Sequence, residues 1–316
     1  MAQKPLCWML AGPTASGKTA LSIRLAKAHA CEIVCMDSMQ IYRGMNIGTA
    51  KPTAEEMEGI PHHLVDFLDP SKPFSLAEYQ RLAAEAIEKI KAHGKTPVIA
   101  GGTGLYADTL LQGIRLCDQG EDPGYRAELV AIAGEKGGKA LMEMLRGCDP
   151  EYAAGVHENN IPRLIRALEV YHTTGIPLSE HIRRSKEVET PYHPFWLGLR
   201  FHDRQKLYDR INLRVDRMME AGLLEEARAA YETRMHTAAQ AIGCKELYPY
   251  FEGKKTLDEC VDTLKQSTRR YAKRQLTWFS RNEEIHWLEP DLLPWPELVL
   301  KAENLLTDSH LFSQSC

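Results

Sequence analysis

Two stretches of this 316-residue chain place reactive residue types at chemically meaningful spacings. Gly12 to Thr19 reads GPTASGKT and fits the pattern G-x-x-x-x-G-K-[ST] in full. Its glycines let consecutive backbone N–H groups converge on phosphate oxygens. A helix opening at Lys18 adds the partial positive charge of its N-terminus. Lys18 supplies a mobile ammonium, and the Thr19 hydroxyl suits a Mg²⁺ ligand. The second stretch follows the apolar run Ile33 to Met36, where Asp37, Ser38, Met39 and Gln40 stand together. A carboxylate there can accept a proton from an amine, and an amide can pair with adenine. Asp and Ser also form turns after strands, so the second stretch alone does not decide between chemistry and a turn.

A phosphate cradle leaves the reaction open. The ordinary expectation is an ATPase or kinase, in which an apolar strand ends in an acid that holds the metal. Here the strand VIAG runs into Gly101, Gly102 and Thr103, and the acid stands instead at Asp37. Some kinases place an acid there too.

These groups need a scaffold, and the hydrophobic pattern supplies one. Leu6–Leu10, Ile33–Met36, Pro97–Ala100 and Phe195–Leu199 read as strands. Lys18–His29, Ser75–Ala92, Asp203–Glu220 and Thr256–Arg281 read as helices. Alternating strands and helices predict an α/β fold, a P-loop NTPase-like parallel sheet core. Residues 118–193 show helical segments and no strand, which predicts a helical insertion domain between core segments 1–117 and 194–316. The tail after Pro290 predicts one short amphipathic helix.

Composition narrows the class. The chain is 44% hydrophobic and 26% charged with a formal net charge of −4, so basic character, if any, is local. Cys7, Cys31, Cys35, Cys117, Cys148, Cys244, Cys260 and Cys316 make no CxxC pair, which argues against structural zinc and for reduced thiols in a cytoplasmic protein. No signal-peptide pattern or membrane-length apolar stretch is present.

GPTASGKT, DSMQIYRGMNIGTAKP, PHHL, GGTGLY, RLIRALEV and TRRYAKRQLTW occur in this order. The set, from about Leu6 to Leu288, resembles the tRNA dimethylallyltransferase family. The resemblance implies transfer of the dimethylallyl group of dimethylallyl diphosphate to the exocyclic amine of the adenosine 3′ of the anticodon in tRNA. In that setting Asp37 is the general base, and Gly12, Pro13, Thr14, Ala15, Ser16, Gly17, Lys18 and Thr19 bind the leaving diphosphate. Mg²⁺ on Thr19, with Lys18 and Arg214, would stabilise the developing negative charge. Arg210, one turn before Arg214, is the second choice.

The resemblance also implies tRNA contacts. These are Asp37, Ser38, Met39 and Gln40; Thr103; Arg126; Pro162, Arg163, Leu164, Ile165 and Arg166; Gln240, Ala241, Ile242, Gly243, Cys244 and Lys245; and Lys273, Arg274, Gln275 and Trp278. Arg163 and Arg166 fall three apart on one helix face, and a basic face near Trp278 suits a single-stranded RNA loop. Solvated arginines and a core tryptophan are the structural alternatives. Two departures from the family pattern bear on RNA contact. Cys244 stands where a tyrosine is usual, and Ile161-Pro162 stands before Arg163 where a proline and glutamine are usual. A monomer is expected. Rival readings are an adenylate isopentenyltransferase acting on a free nucleotide, a P-loop phosphotransferase, and a non-catalytic RNA-binding protein. The insertion and AKRQLTW argue against the first, the absent Walker-B acid against the second, and the intact GPTASGKT with Asp37 against the third.

Overall fold

The computed structural model describes Lys4 and residues 6–111, 122–186, 190–233 and 241–314. The chain divides into one unit of Met1–Leu110 with Tyr192–Cys316 and a second of Leu111–Pro191. The first begins β1 (Leu6–Ala11), α1 (Lys18–Ala28), β2 (Cys31–Met36), α2 (Ala54–Met57), β3 (His62–His63), α3 (Leu76–Ala92), β4 (Thr96–Gly101) and α4 (Gly104–Leu111). The second unit comprises α5 (Pro123–Cys148), α6 (Pro150–Gly155), α7 (Ile161–Thr174) and α8 (Leu178–Lys186). The first resumes with β5 (His193–Leu199), α9 (Arg204–Glu220), α10 (Leu223–Glu232), a 3₁₀ turn (Lys245–Leu247), α11 (Tyr248–Phe251), α12 (Leu257–Phe279), β6 (His286–Leu288) and α13 (Trp295–Gln314).

Six parallel strands form one sheet in the order β3-β2-β4-β1-β5-β6. β2 is buried along its whole length, as a strand in a covered parallel sheet should be, and its one charged residue, Glu32, is paired with His63 and Lys95. The register sets Met36 of β2 and Ala11 of β1 opposite the same residue of β4, Gly101. Three strands therefore end flush, and the loops that follow them leave from one edge, where open α/β sheets place their ligands.

One core lies under α1 and α13, with Leu21, Leu25, Leu298, Ala302 and Leu306 packed on Trp8, Leu10, Ile33 and Val98. Another joins α9, α10 and α12 to Ile41, Tyr42 and Met45. The sequence boundaries shift by a residue where a cap intervenes. Ser75, Asp203 and Thr256 are N-caps whose side chains accept from backbone N–H groups of α3, α9 and α12.

The tail corrects the expectation of one short helix. α13 runs for 20 residues because no glycine or proline interrupts the chain after Pro296. The edge strands β3 and β6, of two and three residues, are too short to leave a periodic signal.

The second unit has its own core, Leu129, Leu141, Leu145, Leu164 and Leu168 among others. α5 breaks at Gly137, whose φ of 72° and ψ of 179° are non-helical. All six described cysteines are free thiols. No described helix is long and apolar enough to cross a membrane.

Candidate active site at the carboxyl edge of the sheet

Residues 12–17, the P-loop, link β1 to α1. Pro13 and Ser16 are buried, while Thr19 is exposed at the loop's end. Ala15 sits at φ 62°, a left-handed conformation uncommon outside glycine and asparagine and worth a functional question where it occurs. Arg210 Nε donates to Ala15 O at 2.9 Å and braces that turn. The second-choice arginine is thus attached to the loop backbone, while Arg214, one turn later, lines the cavity beside Lys18 and Asp37. Burial pulls the Arg214 guanidinium below its ordinary pKa, with Asp37 and then Glu56 opposing.

Lys18 Nζ donates to Pro13 O at 2.6 Å. Its pKa is pulled down to about 7, by burial first and by the Arg214 charge second, with Asp37 working against both. Two cations held this close in a desolvated site are arranged for an anion that neither could share with water. Among described residues, the buried Ser16 hydroxyl has no hydrogen-bond partner, which is consistent with a polar ligand on the loop.

Asp37 follows directly on β2. Its Oδ1 accepts from Met39 N at 2.9 Å and Gln40 N at 3.3 Å, a turn that engages one of its two oxygens. The turn expected from the sequence is therefore present, and it uses Oδ1 alone. The Ser38 N–H donates to Thr103 Oγ1 at 3.2 Å, and Thr103 N donates to Met36 O at 3.1 Å. Gln40 Nε2 donates to Thr49 O at 3.2 Å and Ala50 O at 3.1 Å, and its Oε1 accepts from the Cys35 thiol.

A cavity of about 350 Å³ gathers Thr14, Lys18, Thr19, Asp37, Ser38, Met39, Gln40, Arg214, Ile242, Gly243, Lys245 and Arg274. A wider cleft of about 970 Å³, lined by Ser16, Arg24, Arg210, Arg217 and Trp295, meets it at Lys18, Thr19 and Arg214. Lys18, Thr19 and Arg214 thus border both spaces. No cluster of three or more His, Cys, Asp or Glu suited to a metal occurs among the described residues. The protein's donor set at the cradle is one exposed hydroxyl, Thr19, which fits a Mg²⁺ ion held largely by ligand phosphates and water.

Other expected contacts are relocated. Gln275 is 5% exposed; its Oε1 accepts from Thr14 N at 2.9 Å and its Nε2 donates to Gly102 O at 3.0 Å. Its amide forms internal ties at the edge of the cavity. Ala241 and Cys244 are buried at 2% and 0% and packed with Ile41 and Leu247, and Ala241 also borders the cavity. Leu164 and Ile165 point into the second unit's core, whereas Pro162, Arg163 and Arg166 on the same helix are exposed. Arg126 pairs with the buried Glu169 at 2.9 and 3.0 Å within that unit. Trp278 is partly buried against Gly104, its Nε1 donates to Asp108 Oδ2 at 3.1 Å, and Arg281 stands over its ring. Lys273 and Arg274 are exposed. Gln240 lies outside the described residues.

Sequence reasoning passed over Tyr271. Its side chain hydrogen-bonds with those of Thr103 and Gln275, it lines the cavity, and burial followed by the Asp37 charge raises its pKa. The signal was present, since Tyr271 and Gln275 lie four apart on one helix face.

Residues 40–283 match the model of the IPP transferase family. The chain is 50% identical over 299 residues to the tRNA dimethylallyltransferase of Geobacillus thermodenitrificans (strain NG80-2), covering 94% of each. It is 48% identical over 301 residues to that of Bacillus subtilis (strain 168), covering 95% of each. Among solved structures, it is similar to the full-length tRNA isopentenylpyrophosphate transferase of Bacillus halodurans, with a TM-score of 0.74, 42% identity and coverage of 99% of this chain and 98% of the other. A eukaryotic dimethylallyltransferase described as acting on tRNA gives a TM-score of 0.75 at 30% identity, over 90% of this chain and 74% of the other.

Proposed function

The chain belongs to the IPP transferase family, and from that membership we propose that it transfers the dimethylallyl group of dimethylallyl diphosphate to the N6 amine of an adenosine in tRNA. The acceptor is the adenosine 3′-adjacent to the anticodon. The observation that carries this reading is the sharing of one cavity by Asp37 with Lys18, Thr19 and Arg214. A carboxylate and two cations border one space, which is what a base and an anion trap for this transfer require.

The chemistry follows from that placement. The N6 lone pair attacks the allylic carbon, the carbon–oxygen bond to diphosphate breaks, and the bonding electrons leave with the diphosphate. Lys18, Arg214 and the loop N–H groups meet the growing negative charge. The adenine amine sheds its proton to the Asp37 carboxylate. Thr19 would hold Mg²⁺, which would supply further neutralisation of the developing charge. The adenine reaches this space by leaving its stack. Exposed Arg163, Arg166, Lys273 and Arg274 suit RNA phosphates. The enzyme works as a monomer in the cytoplasm.

One competition assay tests the reading. The protein receives labelled dimethylallyl diphosphate and Mg²⁺, with unmodified tRNA and free AMP offered together and ATP hydrolysis followed in parallel. Label in tRNA, mapped to the nucleotide after the anticodon, is the expected result. Label in AMP alone would make it a free-nucleotide enzyme, and ATP turnover without prenyl transfer would make the cradle a phosphotransferase site.

A further inference from the structure

We propose that Glu226 is a positioning residue for this reaction: from α10, its carboxylate fixes the backbone of residues 46–48 and thereby the Gln40 amide beside Asp37. The inference deepens the functional reading above and rests on it.

Glu226 Oε2 accepts from Asn46 N and Ile47 N, and Oε1 accepts from Gly48 N, each at 2.8 Å. Three successive N–H groups converging on one carboxylate form an anion-binding nest, here filled by the protein's own side chain. Bonds to an ionised acceptor are roughly twice as strong as neutral ones. The next two residues of this loop turn their carbonyls to the site, where Thr49 O and Ala50 O receive Gln40 Nε2. Gln40 in turn donates its backbone N–H to Asp37 Oδ1. A hydrogen-bonded path thus leads from Glu226 to Asp37, although 189 positions of sequence separate them.

Packing supports the same role. A Cβ at Gly48 would lie 3.3 Å from Glu226 Oε1 and 3.3 Å from Leu223 Cδ1, so a side chain there would press on the carboxylate. Gly48, Thr49, Ala50 and Pro52 line the cavity with Asp37 and Lys18. Lys51 anchors the other side of the loop through Tyr42 O at 2.6 Å and Asn46 Oδ1 at 2.9 Å. Loss of Glu226 would leave the loop attached yet free to shift the two carbonyls that orient Gln40. The diphosphate end, held by the P-loop and Arg214, depends on none of these bonds.

The test compares wild type, Glu226→Ala and Glu226→Gln in steady-state transfer to tRNA, with thermal unfolding of each. Glu226→Ala is expected to lose about tenfold or more in kcat, the scale of hydrogen bonds to a charged group, while KM for dimethylallyl diphosphate stays within about threefold. Formate, a carboxylate small enough for the emptied nest, should restore part of the loss. Glu226→Gln points an NH₂ at N–H groups, so it should lose comparably and gain nothing from formate. A fully active Glu226→Ala overturns the proposal. So does a loss shared by kcat and donor KM without a formate response, which would mean general loosening. Should Glu226→Ala fail to fold, a folded and fully active Glu226→Gln overturns it equally. A wild type that moves no prenyl group to tRNA would instead sink the functional reading, and this inference with it.

Discussion

Gln275 Oε1 accepts a hydrogen bond from the backbone N–H of Thr14 at 2.9 Å, across 261 positions of sequence, and its Nε2 donates to Gly102 O at 3.0 Å. One buried amide therefore joins the P-loop to the turn after β4. It does so from the helix that also exposes Lys273 and Arg274. Gln275→Ala takes this partner from the part-buried Thr14 N–H and from the buried Gly102 carbonyl, the latter at a cost of about 1–3 kcal/mol. The expected result is a rise in KM for dimethylallyl diphosphate and a fall in kcat, with tRNA affinity nearly unchanged in a binding titration. Lost tRNA affinity at an unchanged donor KM would return Gln275 to the RNA-contacting set.

Asp37→Asn keeps an oxygen to accept from Met39 N and Gln40 N, so the turn should survive while the base is lost. Turnover is expected to fall by about a hundredfold to ten-thousandfold, the usual scale of general-base catalysis. Binding of the donor diphosphate, followed by calorimetry, should change little, because Lys18 and Arg214 remain. Asp37→Ala should lower turnover at least as far. Equal turnover by either variant and wild type would remove Asp37 as the base.

The P-loop, the acid after β2 and the parallel α/β architecture were legible because each is a local signal. A run of apolar residues ends, and a loop of fixed composition follows. Gln275 and Glu226 were not legible as supports, because their partners lie far away in sequence, whereas Tyr271 showed only its local half, the link to Gln275 one helical turn on. Leu164 and Ile165, buried within an expected tRNA-contacting run, were hidden for a related reason. A contiguous motif was read as a contiguous surface, but a helix turns about 100° per residue and sends neighbours to opposite faces. The length of α13 was hidden by its polar sequence, since only Leu298, Val299, Ala302 and Leu306 of its described side chains are buried.

Gly104 lets the Trp278 indole lie directly on the backbone at the start of α4. A Cβ there would collide with the five-membered ring. The ring cannot swing away without giving up the bond from Nε1 to Asp108 Oδ2. Gly104→Ala should therefore cost about 1–3 kcal/mol, the usual scale of overpacking, read from urea unfolding. A change in tryptophan emission should accompany it. Wild-type stability in this variant would show that Trp278 has room to move.

Within α7, Leu164 and Arg166 should separate stability from RNA binding. Leu164 is fully buried among Leu129, Leu141 and Leu168, so Leu164→Ala should destabilise by about 2–5 kcal/mol. Arg166 is exposed, so Arg166→Ala should leave the unfolding midpoint in place. It should weaken tRNA binding and reduce the salt dependence of that binding by roughly one phosphate contact. Unchanged salt dependence in Arg166→Ala would take that side chain off the RNA-binding face.

Lys18 gives the pH prediction. Its folded pKa of about 7 lies well below the ordinary lysine value of 10.5, with burial as the main cause. Between those values the unfolded chain binds a proton that the folded chain does not, so this group opposes folding at neutral pH. That opposition fades as pH rises from about 7 toward 10.5. Donor binding runs the other way, because a diphosphate favours the charged ammonium. Above pH 7 the protein must take up a proton as the donor binds. Calorimetry in buffers of different ionisation enthalpy should therefore show proton uptake near pH 8, together with affinity that weakens as pH rises. Lys18→Met should remove that uptake, while Arg214, cationic throughout this range, retains part of the affinity. Identical proton uptake in Lys18→Met and wild type would assign the titration to another group.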